Sequence, residues 1–117
     1  MVKTGSSALA TSEMSCAGQL AQFFPRATAV RIPVQITSPR GDKTSLHEAT
    51  VVEFSSANHA IFISTLPLEF GDLVRLENRL EGSHVEATVD AVQYHDGRKA
   101  VAVRFVHGSC DWVVRQQ

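Results

Sequence analysis

The sequence predicts an all-β domain built as a six-stranded antiparallel barrel. Three observations carry this expectation. Apolar and polar residues alternate along six segments between residues 30 and 106, the period of strands with one buried face. Short clusters of Gly, Pro, Asp, Asn and Ser separate these segments, with no helical-period run between them, so sequential strands can pair as antiparallel neighbours. Six strands in an open sheet would leave two unpaired edges, and closure into a barrel removes them. The 117 residues suit one domain, large enough to bury a core without metal or disulfide staples.

Residues 1–11, rich in Ser, Thr, Ala and Gly, read as a flexible tail. Over 12–24, Met14, Ala17, Leu20, Ala21 and Phe24 fall near helical spacing, and Pro25 ends that pattern. Residues 1–21 are therefore expected as a flexible or weakly helical N-terminal segment, and 22–117 as the barrel domain. In the first strand Val30, Ile32, Val34 and Ile36 alternate with Arg31, Pro33, Gln35 and Thr37. Pro33 has no N–H to donate, so this strand should lie at an edge or have one side unpaired there. A turn cluster at 38–42 leads to a second strand over about 47–54, and a third covers 60–64. Turn signals at Pro67 and Gly71-Asp72 precede a fourth strand at 73–78. After Glu81-Gly82 comes the longest strand, 83–95, with Val85, Ala87, Val89 and Ala91 on one face and His84, Glu86, Thr88 and Asp90 on the other. Asp96-Gly97 signals a two-residue hairpin, because both central residues of a type I′ turn need positive φ. The sixth strand, 99–106, sets Val101, Val103 and Phe105 on one face, and 109–117 reads as a short turn or helix around Trp112.

Charge and composition narrow the function classes. The formal net charge is −1, against the Lys/Arg excess of a nonspecific nucleic-acid binder. Single-stranded nucleic-acid binding on a barrel needs aromatic stacking platforms and a basic groove. Aromatics total 7% and no strand interleaves them with Lys or Arg, so this stands as the alternative and no nucleic-acid partner is expected. Thr11, Ser12, Glu13 and Ser15 interrupt any apolar signal-peptide core, and no run reaches the length of a membrane span. A cytoplasmic location is expected, with Cys16 and Cys110 as free thiols. The five histidines are scattered along the chain, without the paired spacing of a zinc site. His107, Cys110 and Asp111 have no evident oxyanion partner. No metal, cofactor or enzymatic activity is expected.

One stretch has a more specific character. Glu53-Phe54-Ser55-Ser56-Ala57-Asn58 joins the second strand to an apolar third, Ala60-Ile61-Phe62-Ile63. Downstream come Leu68-Glu69-Phe70-Gly71-Asp72-Leu73-Val74 and a closing Ala100-Val101-Ala102-Val103-Arg104-Phe105. In order and spacing, residues 22–107 resemble a PilZ domain, a split six-stranded barrel many of whose members bind the bacterial messenger cyclic di-GMP. The family holds its ligand with Arg-x-x-x-Arg before the first strand and Asp/Asn-x-Ser-x-x-Gly between the second and third. The resemblance assigns ligand binding to Gln22, Arg26, Arg31, Glu53, Ser55 and Asn58. Several of these depart from the pattern. Gln22 stands where an arginine would precede Arg26. The alternative pair, Arg26 and Arg31, has one residue too many between them, which tends to send the second side chain to the other face. Glu53 replaces Asp or Asn, and Asn58 replaces Gly.

Arginine suits a cyclic dinucleotide because its planar fork bonds phosphate oxygens and guanine edges in pairs and stacks on bases. Gln22 keeps a donor but loses charge and fork. The resemblance thus implies a PilZ-like module of cyclic di-GMP signalling. It is either a receptor whose N-terminal segment orders on the ligand or, favoured slightly, an adaptor for an unidentified protein partner with weak or lost nucleotide binding. Blander readings stay open: Arg26 and Arg31 as solvated residues leading into a strand, Ser55 and Asn58 as turn formers, Phe23 and Phe24 as core, Trp112 as a packed anchor.

Overall fold

In the computed structural model, which describes residues 15–39 and 45–107, the alternating segments become six strands. These are β1 (Thr28–Ser38), β2 (Leu46–Ser55), β3 (His59–Ile63), β4 (Leu73–Asn78), β5 (His84–His95) and β6 (Arg98–Phe105). Every neighbouring pair is antiparallel, and the order β1-β2-β3-β6-β5-β4 closes where β4 meets β1. The expected closed, all-β barrel is therefore the observed fold. Inward-pointing residues of all six strands, including Ile32, Ile36, Val52, Phe62, Leu76, Val89 and Val103, fill the interior. Parts of the turn at 38–42, together with Cys110, Trp112 and the 109–117 tail, lie outside the described residues.

Local chemistry accounts for the turns and connections. Asp96 and Gly97 take φ of 58° and 77°, the left-handed pair that a type I′ hairpin demands. The chain from β3 to β4 is pinned by the Glu48 carboxylate, which accepts from Ser64 Oγ at 2.7 Å, Thr65 N at 3.0 Å and Thr65 Oγ1 at 2.7 Å. Lys99, largely buried, donates its ammonium to the Leu66 carbonyl. Pro33 pairs with Val51 of β2, yet β1 meets β4 only from Val34 onward. The Pro33 carbonyl accepts from Arg79 N just past the end of β4. The missing N–H thus faces the place where the ladder has ended, and β1 is interior without being disrupted.

Two features depart from simple alternation. Three ladders carry β-bulges, between Ala29 and Ile32 in β1, between Val52 and Phe54 in β2, and between Val89 and Ala91 in β5. The last corrects the expected face of β5. Val89 pairs with Val103 and Ala91 with Ala102, so Asp90 has no partner in β6. Beyond it Ala91 turns outward and Val92 packs on the interior, since one extra residue inverts the side-chain phase.

The second feature is a core outside the barrel. The helical expectation over 12–24 becomes a shorter helix, α1 (Cys16–Ala21), capped by Ser15, whose Oγ accepts from Gly18 N at 2.9 Å. Cys16, Ala17 and Leu20 pack on Ile61, Ala100 and Ala102, with Phe24, Phe54 and Ala91 around them. Alanines on the outer face of β6 let the helix approach closely. The Cys16 thiol lies 3.7 Å from the Gln93 carbonyl and 3.6 Å from that of Arg98. Burial pushes its pKa above the ordinary thiol range. With the folded pKa raised, the folded chain holds a proton that the unfolded chain releases. The thiol's contribution to stability is then full below the ordinary thiol pKa and declines as pH rises past it. Denaturant midpoints measured between about pH 8 and about pH 10 should fall more steeply for the native chain than for Cys16→Ala. Equal slopes would contradict the burial of this thiol.

Candidate ligand-binding cleft

Where α1 ends, the chain turns across the outside of the barrel before entering β1. Phe23 N donates to Leu20 O at 3.0 Å, Phe24 N to Ala21 O at 2.9 Å and Ala27 N to Phe24 O at 2.8 Å. This tight path carries Phe24 over the start of β3, where its ring meets that of His59 at a centroid distance of 4.7 Å and an angle of 53°, a tilted aromatic contact.

The β2–β3 turn forms the next wall. Ser56 Oγ accepts from Asn58 N at 3.2 Å and His59 N at 3.1 Å, while Ser56 N donates to His59 O at 2.9 Å. Phe105 N donates to Asn58 O at 2.9 Å and ties the turn to the end of β6. The bulge in β5 supplies the third wall. Released from the β6 ladder, Asp90 turns its carboxylate outward. Its Oδ2 accepts from His59 Nε2 at 3.2 Å, and its Oδ1 lies 4.0 Å from Arg104 Nε. Together Phe23, Phe24, Pro25, Arg26, Ala27, Ser56, Asn58, His59 and Asp90 enclose a cleft of about 400 Å³, within the usual size range of small-ligand sites.

The six residues assigned from sequence fall into two groups. Arg26 and Asn58, from the two separate motif positions, line the same cleft. The other four do not line it. Ser55 is fully buried beneath the turn, its Oγ donating to His59 O at 3.2 Å. Gln22 caps the C-terminus of α1 and is exposed. Arg31 sits exposed within the β1 bulge. Glu53 is the extra residue of the β2 bulge, near enough to Cys16 to raise its pKa electrostatically.

The other seven lining residues were not singled out as ligand-binding from the sequence, among them Phe24, Ser56, His59 and Asp90. For Asp90 a signal existed, since Val92 falls out of phase with Val85, Ala87 and Val89 and so announces a bulge. Phe23, read as core, is 72% exposed at the rim. Phe24 packs on the outer core, not inside the barrel. Among the described residues no group of three metal-ligating side chains occurs, and no helix is long and apolar enough to cross a membrane.

No protein-family profile matches the chain, and no curated protein matches it in sequence. Among solved structures, that of Bacillus subtilis Inhibitor of motility (MotI/DgrA) resembles it, with a TM-score of 0.59 and 16% identity over 77% of this chain. The match spans 45% of that protein, less than half its length. At this identity the likeness shows a shared barrel fold.

Proposed function

We propose that this barrel is a PilZ-like signalling module that takes cyclic di-GMP, with reduced affinity, in the cleft between the α1–β1 segment and the β2–β3 turn. The observation that supports it is the convergence of Arg26 and Asn58 on one cleft. They come from two motif positions far apart in sequence, which the antiparallel pairing of Thr28 with Ser55 at the β1–β2 ends brings to one rim of the barrel. The chemistry suits the ligand. Arg26 offers a phosphate-binding fork. Asn58 offers amide donor and acceptor groups. Phe23 presents an exposed aromatic face on which a base can stack. The fold likeness to an inhibitor of motility is consistent with a regulatory module.

Reduced affinity follows from what the cleft lacks. Arg26 is its one cation among the described lining residues, with Gln22 in place of a second arginine and Arg31 turned elsewhere. A missing charge-assisted contact weakens binding by roughly ten- to a hundredfold. Calorimetric titration with cyclic di-GMP at moderate salt should give saturable, micromolar binding. An absence of heat at high protein concentration would overturn the receptor reading and leave the barrel as a protein-interaction adaptor. The nucleic-acid alternative has no support from a cleft with one arginine, and single-stranded DNA at low salt should show no saturable binding.

A further inference from the structure

Asp90 poses a problem for a cleft that takes an anion. It is the one carboxylate on the wall among the described residues, and an unbalanced negative charge there would repel two phosphates. His59 donates to that carboxylate at 3.2 Å, Arg104 Nε lies 4.0 Å from it, and the side chain stays 29% exposed. A carboxylate has about four acceptor positions. His59 occupies one, and the separation from Arg104 Nε is too long for a hydrogen bond, so Oδ1 keeps acceptor capacity at the cleft. Its orientation is fixed from two sides. The β5 bulge frees Asp90 from its ladder, and Phe24 packs on the imidazole that holds Oδ2.

A positioned carboxylate with open acceptor positions fits a ligand edge that presents two adjacent donors. Guanine has such an edge, N1–H beside the 2-amino group. Adenine presents an acceptor at N1 where guanine has a donor. Resting on the cyclic-dinucleotide reading above, we propose that Asp90 is the residue that selects guanine in this cleft, accepting from N1–H and the 2-amino group, with His59 as its positioning residue. A site built to accept these donors leaves its carboxylate unpaired against a base that lacks them, and that asymmetry yields strong discrimination.

Three ligands distinguish the outcomes by calorimetry: cyclic di-GMP, cyclic di-AMP and the inosine analogue cyclic di-IMP, which keeps N1–H but lacks the 2-amino group. The native chain should prefer cyclic di-GMP over cyclic di-AMP by about ten- to a hundredfold, with cyclic di-IMP between them. Asp90→Asn preserves volume and can still accept from His59, but it exchanges one acceptor for a donor. It should lose most of the preference by weakening for cyclic di-GMP and strengthening for cyclic di-AMP. A purely structural role for Asp90 would weaken all three ligands equally, and that result would overturn the proposal. So would equal binding of cyclic di-GMP and cyclic di-IMP by the native chain, a test needing no variant. Failure of the native chain to bind any of the three would overturn the cyclic-dinucleotide reading itself, and this assignment with it.

Discussion

Arg26→Ala is expected to weaken cyclic di-GMP binding by roughly ten- to a hundredfold, while the thermal unfolding midpoint stays within the range of an ordinary surface substitution. Arg26 is exposed and contributes nothing to either buried core, so its removal leaves the cleft's shape intact and takes away its one lining cation. Arg26→Lys restores the charge without the planar fork and should recover only part of the affinity. Arg31 lies in the β1 bulge outside the cleft, so Arg31→Ala should leave binding nearly unchanged at moderate salt. Calorimetric titration of the three variants reads the whole pattern. Equal losses for Arg26→Ala and Arg31→Ala would mean that the ligand lies across β1, and the cleft would be the wrong site.

Ala102→Glu is expected to lift α1 from the barrel while leaving the barrel folded. Ala102 is fully buried beneath the helix. A carboxylate there would lie within the apolar cluster of Cys16, Leu20 and Ile61, and an uncompensated buried charge costs about 3–5 kcal/mol. Helix α1 is six residues long, far too short to persist alone, so docking is its main support. The largest gain comes from Leu20, for which full burial contributes about 1.5–3 kcal/mol. The penalty exceeds that gain, and undocking relieves it because the Ala102 side chain sits on the outer face of β6. The reporter is the Cys16 thiol, 5% exposed in the docked state. In a Cys110→Ser background its reaction with an aromatic disulfide should accelerate at least tenfold over the same chain with Ala102, about 1.4 kcal/mol of local opening. Far-ultraviolet circular dichroism should keep its β-sheet signal. An unchanged thiol rate would mean that α1 does not depend on this contact. The variant should also weaken ligand binding, since α1 carries the chain toward Phe23, Phe24 and Arg26.

The same docking bears on how the module could signal. In the receptor alternative, the N-terminal segment orders around a bound ligand. Residues 16–21 form a helix whose buried face belongs to the outer core. In the proposed receptor, the aromatic and basic segment that lines the cleft follows directly on a helix held by Leu20 and Ala17. Gln19 adds a further tie, its amide lying 3.0 Å from the His95 ring.

Much of the barrel was legible because strand periodicity is local. β4 shows this best: Val74 and Leu76 point inward while Arg75 and Glu77 point out, and its bounds coincide with the expected 73–78 segment. Asp96-Gly97 likewise fixes a turn through backbone sterics of two residues alone. The β2–β3 turn was found by its serines and asparagine, whose hydrogen bonds stay within the turn.

What escaped the sequence depends on contacts between distant segments. The apolar outer residues of β6, Ala100 and Ala102, hinted that something covers that face, but only packing identifies α1 as the cover. Bulges are set by how one strand registers against the next, so the sequence of β5 alone could not aim Asp90 at His59. Local residue pattern sets the strand count and the type I′ turn, and the family resemblance supplies the candidacy of Arg26 and Asn58. Tertiary structure decided that these two share a cleft, that Gln22, Arg31, Glu53 and Ser55 do not line it, and that Asp90 and His59 do. The physical reason is that periodicity is written residue by residue, whereas a cleft forms where barrel closure and helix docking bring separate segments together.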